Sequence, residues 1–410
     1  METTADGTII TGLDVGSSKV ATVVGRKTPE GLEILGVGVC PTEGMRKGAV
    51  VNVDATVRSI RQSVSDAEKM TGLSIDSVLV GVSGSLIKSF NSHAAISVKN
   101  EREVTDADVA RVMELAKAVE LPNDREILHV LNQEFIVDEV GGIKDPRGMT
   151  GIRLDARVHV VTDDVPATRN LVKCVEKAEL AVDDIVLSPL ASAQAVLTPE
   201  EREVGVVLLD FGGGTLEMAV FYGEALRHTF VLPLGGANIT SDVAVGLRIP
   251  SADAEALKIA SGCAAIQKVR RDELVELPGV GGRQPRPIRR QYLSEIIEPR
   301  VEEIFTLVRK EILRSGFEEM LGAGVVLTGG GSLLDGLPEL GERVFGLPVR
   351  RGLPIGVVGM TELVGGPAFA TGVGLVLYGS TLAESGGIGR EDAGGDGWLG
   401  RLRRLIADYF

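Results

Sequence analysis

Gly12-Leu13-Asp14-Val15-Gly16-Ser17-Ser18-Lys19 and Leu208-Leu209-Asp210-Phe211-Gly212-Gly213-Gly214-Thr215 stand far apart in the chain and share one pattern. Each is an apolar run ending in Asp, then a glycine turn with hydroxyls, then a second apolar run, as in a tight strand-to-strand hairpin. Glycine lets backbone N–H groups approach an anion closely, Ser or Thr adds a hydroxyl, and Lys19 adds charge. A carboxylate so near phosphate needs a cation between them, so Asp14 and Asp210 point to a magnesium ion held partly through water. Either turn alone is equally an ordinary glycine hairpin. Two of them facing each other could clasp a polyphosphate.

A chain of 410 residues exceeds what one core usually supports, so at least two domains are expected. Hydrophobic content of 44% and charged content of 24% are ordinary globular values. The net charge of −14 argues against general nucleic-acid binding, which needs a basic surface. Cys40, Cys174 and Cys263 are widely spaced, with no CxxC and no histidine nearby, so neither a disulfide framework nor a zinc site is suggested and a reducing cytoplasm fits. Met1 to Ile10 lacks a signal-peptide pattern, and no apolar run reaches the roughly 20 residues of a spanning helix. The four histidines, His93, His129, His159 and His228, form no sequence cluster that suggests nucleophilic catalysis.

After the first turn, Val20 to Val24 and Leu32 to Val39 read as strands. Asp54 then caps a helix with apolar positions Val57, Ile60, Val64 and Ala67, and Ser77 to Val82 is a buried strand. The order restarts with Val206 to Leu209, the second turn, Glu217 to Phe221, Leu226 to Leu232 and a helix from Asn238 to Gly246. A repeated unit of this kind predicts two similar domains across a ligand cleft. Ser83 to Val165 resembles neither repeat; there Thr105-x-x-Asp108 caps a helix through Val109, Val112 and Ala116, and Glu134 to Val137 and Ala156 to Val161 are strands. Ser251 to Arg290 is a second insertion-like stretch, followed by a long helix, Gln291 to Arg314, expected to bend at Pro299. A third glycine cluster, Val325 to Ser332, ends a buried strand and leads into a helix; Gly329, Gly330, Gly331 and Ser332 could let a flat base or ribose lie against backbone.

Ala383 to Gly397 is Gly-rich and acidic, a flexible linker by composition. In a helical Trp398 to Phe410, Trp398, Leu399, Leu402, Leu405, Ile406, Tyr409 and Phe410 share an arc of roughly 140°, with Arg401, Arg403 and Arg404 outside it. Such a helix, about 20 Å long, cannot span a bilayer but suits a membrane interface with anionic headgroups. Docking on the protein's own core is the alternative; the tether favours a membrane or a partner. So short an anchor needs several linked copies for strong attachment.

Together these segments resemble the actin, Hsp70 and sugar-kinase superfamily, and within it the FtsA family of bacterial cell division proteins, over almost the whole chain. The resemblance is carried by Gly12 to Lys19, Leu209 to Thr215, Ser251 to Lys258, Ile296 to Arg300, Val326 to Ser332 and the C-terminus. It implies an α/β, actin-like ATPase fold, with two duplicated ribonuclease-H-like subdomains facing a nucleotide cleft and an inserted small α+β subdomain in place of actin's usual small one. The expected division is 1–82 and 166–196 for the first subdomain, 83–165 for the insert, and 197–250 for the second subdomain. Then follow an outer subdomain at 251–300, the second subdomain's remainder at 301–380, a linker at 381–397 and the amphipathic helix at 398–410.

The same resemblance implies ATP and Mg2+ in the cleft, bound by Asp14, Gly16, Ser17, Ser18, Lys19, Asp210, Gly212, Gly213, Gly214 and Thr215, with Glu255 and Lys258 near ribose and adenine. It implies filaments of the protein itself, later division proteins as partners, and a peripheral location on the cytoplasmic face of the inner membrane. It also implies that the second repeat's outer subdomain binds the C-terminal tail of the tubulin-like protein FtsZ, with Arg286, Arg300 and Glu303 as the candidate surface. The residues lend partial support, because Lys268, Arg270, Arg271, Arg283, Arg286, Arg289 and Arg290 crowd one stretch of an acidic chain, though charge runs are usually solvated loops. Gln194 is the candidate for orienting a hydrolytic water, by likeness to actin's glutamine helix; a plain polar helix residue is the other reading. Two competing functions remain: a sugar kinase of the superfamily, which needs a carboxylate base not evident beside the hairpins, and a PilM-like pilus-assembly protein.

Overall fold

The computed structural model describes residues 2–4, 7–98, 103–279 and 284–384. The expected membrane helix Trp398–Phe410, the linker beyond 384 and Arg283 lie outside the described residues. The helix Ala370–Glu384 runs past the expected linker start at 381, because its apolar face continues through Leu382, which is fully buried.

The duplication is visible in strand order. In the first repeat, Gly7–Val15, Lys19–Thr28 and Gly31–Pro41 form an antiparallel meander, and Ser77–Val82 and then Ala181–Leu187 add in parallel beside Gly7–Val15. In the second, Val206–Phe211, Leu216–Tyr222 and Ala225–Leu232 form the meander, with Gly324–Thr328 and Val349–Arg351 added in parallel. Val206 to Leu209 and Val325 to Leu327 are buried on both faces, the pattern of a covered sheet. The edge strand of the first sheet, Val357–Gly359, pairs with Gly31–Pro41 and comes from the chain's far end, tying the repeats together.

Between the fourth and fifth strands of the first repeat lies the insert, a four-stranded sheet in the order Val140–Ile143, Arg125–Val137, Arg153–Asp164, Lys88–Ser97. The helix Asp106–Lys117 covers it and starts with the expected reciprocal cap between Thr105 and Asp108. The insert has its own core, with Val112, Ala116, Phe135, Leu154, Ala156 and Val158 all buried. The second repeat's extra helices, Gly236–Leu247, Ser251–Ser261 and Arg290–Ser315, enter between its third and fourth strands. Arg290–Ser315 remains one helix through Pro299.

The helices Ser188–Val196 and Ala370–Glu384 fill the space between the two sheets. Their core joins Ile10 and Val23 of the first repeat to Leu208 and Val326 of the second. A Cβ on Gly374 would overlap the Ala191 carbonyl, so the two helices approach as closely as backbone allows. The cap of the first long helix, Val53–Thr71, is Asn52 and not Asp54: the Asn52 side chain accepts from Ala55 N at 3.1 Å. Asp54 sits in the first turn, where a carboxylate still favours the helix dipole.

Candidate functional site

The two glycine turns meet across the cleft between the repeats. Ideal Cβ atoms on Gly213 and Gly214 would collide with Ser18 and Ser17 respectively, so the turns lie backbone against hydroxyl. A short hairpin, Met45–Arg46 with Ala49–Val50, closes over this junction. Gly48 N donates to Ser17 Oγ at 3.0 Å, and Lys47, held at φ 52°, brings its Cα within 3.2 Å of the position a Gly214 Cβ would take. A lysine in the left-handed region is uncommon, and such backbone persists where its surroundings over-determine it.

Around the junction stand three carboxylates and one lysine. Asp210 Oδ2 accepts from Ser192 Oγ at 2.6 Å and from Thr371 Oγ1 at 3.3 Å, so the two helices between the sheets aim it. Asp14 faces Lys19, Oδ2 to Nζ 3.9 Å. Glu217 is the direct cross-strand neighbour of Asp210, fully buried, accepting from Thr215 Oγ1 at 3.3 Å through Oε1 while Oε2 lacks a hydrogen bond of good geometry. Burial raises the proton affinity of all three carboxyls. For Asp14, Lys19 opposes that effect and Asp210 reinforces it, and for Glu217 the charge of Asp210 adds enough to push it well above the usual glutamate range. Burial also lowers the Lys19 ammonium, against the pull of Asp14 and Asp210.

Lys19 Nζ is sealed from solvent and has no hydrogen-bond partner, with the Phe369 ring 4.7 Å away. A buried ammonium that makes no hydrogen bond is costly, and a phosphate oxygen would satisfy it. Among the described residues no three Asp, Glu, His or Cys side chains converge as a metal cage. The pair Asp14 and Asp210 suits a cation that keeps its water and touches the protein through one or two carboxylates.

The other expected ligands adjoin the second turn. Gly236 N and Ala237 N donate to the carbonyls of Gly212 and Gly213. Lys258 Nζ bonds Gly236 O at 3.2 Å, Thr240 Oγ1 at 2.9 Å and Glu255 Oε2 at 2.6 Å, and Thr240 Oγ1 also donates to Glu255. On the opposite flank, Gly329 and Gly331 pack on Asp210 and the Phe211 backbone so tightly that neither leaves room for a Cβ. Ser332 Oγ turns back to Gly329 O at 2.7 Å. The cluster leads first into a 3-10 turn, Gly330–Leu333, and the helix begins only at Leu337.

Gln194 lies on the helix Ser188–Val196 that also carries Ser192. Ser192, two residues earlier on the same helix, is the residue that reaches Asp210, and roughly 200° of helical rotation separates the two side chains. The roles of Glu217, Ser192 and Thr371 were not evident from sequence. Alternation along Leu216–Tyr222 would have flagged Glu217 as a charge among apolar neighbours; nothing local marks Thr371, which arrives from the far end of the chain.

On the outer part of the second repeat, Arg300 bonds Asp242 through Nε at 2.5 Å and Nη2 at 3.2 Å, and bonds Glu303 at 2.5 Å. Arg286 is exposed on a separate hairpin, and about 15 Å of helix separates residue 290 from residue 300. The basic stretch is less bare than its sequence. Lys268 pairs with Glu339 and Asp335, Arg290 with Glu273 and Asp335, and Arg270 with Asp272.

Residues 207–374 match the family model of cell division protein FtsA, and residues 84–162 match that of the SHS2 domain inserted in FtsA. A cell division protein FtsA of Pseudomonas aeruginosa is 44% identical over the full length of both chains, and that of Escherichia coli K12 is 40% identical over 99% of each. Among solved structures, the PilM–PilN type IV pilus biogenesis complex superposes with a TM-score of 0.65 at 18% identity, covering 90% of this chain and 98% of the other. MreB5 of Spiroplasma citri bound to ADP gives 0.56 at 14% identity, covering 94% and 100%. At those identities the likeness carries the actin-like fold alone.

Proposed function

We infer the function from one premise: the chain belongs to the FtsA family of cell division proteins. On it, the protein is an actin-like adaptor that binds ATP between its repeats, polymerises, and ties FtsZ filaments to the cytoplasmic face of the membrane at the division site. The sealed Lys19 ammonium at the junction of both glycine turns, facing Asp14 at 3.9 Å with no hydrogen bond made, is the observation that carries nucleotide binding. The turns containing Gly16 to Lys19 and Gly212 to Thr215 cradle the phosphates, Glu255 and Lys258 take the ribose side, and Gly329 to Ser332 flank the base. Magnesium, bound through water by Asp14 and Asp210, would neutralise phosphate charge. Because these groups come from both repeats, bound nucleotide acts as a clamp whose closure needs no bond cleavage.

Attachment falls to Trp398–Phe410 and the FtsZ tail to the outer surface around Arg286, Arg300 and Glu303, with later division proteins meeting the insert. The identity of full-length relatives favours this reading over a pilus role. A pull-down with an FtsZ C-terminal tail peptide tests it: retention that is lost with charge reversal at Arg286 and Arg300 supports it, and absence of retention overturns the partner assignment. Deleting Trp398–Phe410 is expected to abolish flotation with liposomes while leaving ATP affinity intact; unchanged flotation removes the anchor.

A further inference from the structure

The insert belongs to the first repeat by chain connection and also fastens onto the second. Gln133 Nε2 donates to the carbonyls of Leu226 and Arg227, each at 3.0 Å. His159 Nε2 bonds Thr229 Oγ1 at 2.9 Å, Ser89 Oγ donates to Thr229 O at 3.0 Å, and Lys144 pairs with Glu224 at 2.5 Å. Beside this seam opens a cavity of about 480 Å³, within the range that holds a few side chains or a small ligand.

Its walls are unequal in charge and polarity. Arg157 and Glu134 on the insert's sheet pair at 2.8 Å and cancel each other. Arg227, from the second repeat's third strand, is half-buried and donates through Nε to Tyr222 O at 2.9 Å, with its guanidinium beside the Tyr222 ring. It has no carboxylate partner among the described residues. Burial depresses its basicity, Glu134 and Tyr222 partly restore it, and Arg157 lowers it further. Phe317 and Met320, from the turn after the long helix, supply an apolar side, Met320 being 41% exposed.

We propose that this cavity docks an acidic peptide side chain, its carboxylate on the Arg227 guanidinium and a neighbouring aliphatic residue on Phe317 and Met320. One uncompensated guanidinium suits a monoanion. A phosphate dianion would bring surplus charge beside Glu134, so carboxylate is the favoured class. The planar fork of Arg recognises carboxylate in two parallel bonds, and a half-buried, unpaired charge gains most from such a partner. The assignment stands on the seam alone and does not depend on the nucleotide or membrane reading.

The test uses the full chain carrying methyl-labelled methionine, with the Met320 signal assigned by its loss in Met320→Leu. N-acetyl-Ala-Asp-Leu-Ala-amide, titrated to about 10 mM, is expected to shift Met320 saturably. The Asn counterpart should bind at least about fivefold more weakly, since it lacks the charge-assisted bond. In Arg227→Gln the Asp peptide should lose its effect while the remaining methionine signals keep their positions. Equal binding of the Asp and Asn peptides to the unaltered chain, unchanged binding in Arg227→Gln, tighter binding of a phosphoserine peptide, or no saturable shift would each overturn the proposal. The Asp/Asn comparison needs no variant, so a folding defect in Arg227→Gln leaves the outcome decidable.

Discussion

Gly213 and Ser18 face each other across the cleft with no space for a methyl group between them: a Cβ on Gly213 would overlap Ser18 Oγ and stand 3.0 Å from Ser18 Cβ. Each residue belongs to a different repeat, so this contact measures how far the halves close. Gly213→Ala is expected to hold them apart and weaken ATP binding at least about tenfold, with the fold retained. Ser18→Gly in the same chain removes both clashing atoms and should restore much of the loss. Isothermal titration of the single and double variants checks this; an ATP affinity unaffected by Gly213→Ala would refute the close approach.

Lys19→Met removes the buried ammonium that lacks a hydrogen bond. Wild-type protein at a nucleotide concentration about 100 times Kd gains about 2.7 kcal/mol of stability by mass action. The variant is expected to lose that gain, so that ATP no longer raises its Tm in a thermal-shift assay. A retained shift would mean that Lys19 does not meet the phosphates.

His129 is buried, and its Nε2 accepts the Leu187 N–H at 3.0 Å where the helix Ser188–Val196 begins. Burial lowers its pKa from 6.5 to about 4. Between those values the unfolded chain holds a proton that the folded chain refuses, so stability is complete above pH 6.5 and falls as pH drops toward 4. At about 1.36 kcal/mol per pH unit the loss is about 3 kcal/mol. His129→Gln keeps an acceptor and no titration, and urea melts at pH 7 and pH 4.5 should show a smaller drop in the variant; equal drops would contradict the assignment.

Asp184 carries the opposite sign. Burial raises it from 3.8 to about 6, against hydrogen bonds from Ile185 N and Tyr378 Oη. The folded chain keeps its proton longer than the unfolded one, so this contribution is most favourable below pH 3.8 and declines until pH 6. Asp184→Asn should therefore be the more stable form at pH 7.5, by up to about 3 kcal/mol, with the difference vanishing near pH 4. Chemical denaturation across that range decides it.

Replacing Arg401, Arg403 and Arg404 by Glu is expected to weaken association with anionic vesicles, at about 1 kcal/mol per lost positive charge, while association with neutral vesicles changes little. Equal effects on both would assign the tail's binding to its apolar residues alone.

The antiparallel meander that opens each repeat could be read from sequence because a hairpin writes its pairing locally: apolar run, glycine turn, apolar run. Thr105 and Asp108 likewise announced their cap, since both partners lie within one helical turn. The Asn52 cap was missed because Asp54, two residues on, is an equally good cap by type, and only backbone geometry chooses between them. Side-chain direction on a helix is set by its packing, and packing turned Ser192 toward Asp210.

From the sequence alone came two glycine turns with their carboxylates, an insert between the repeats, a third glycine cluster and an amphipathic C-terminus, all features marked by composition or pattern along the chain. The tertiary structure alone decided that Gly213 touches Ser18, that Thr371 and Ser192 aim Asp210, that Glu217 joins the carboxylates, and that Asp335 and Glu339 pair with Lys268 and Arg290 of the basic stretch. Each of those depends on groups brought together from distant parts of the chain. Local pattern does not encode such meetings, because they follow from how the two sheets and the helices between them share one core.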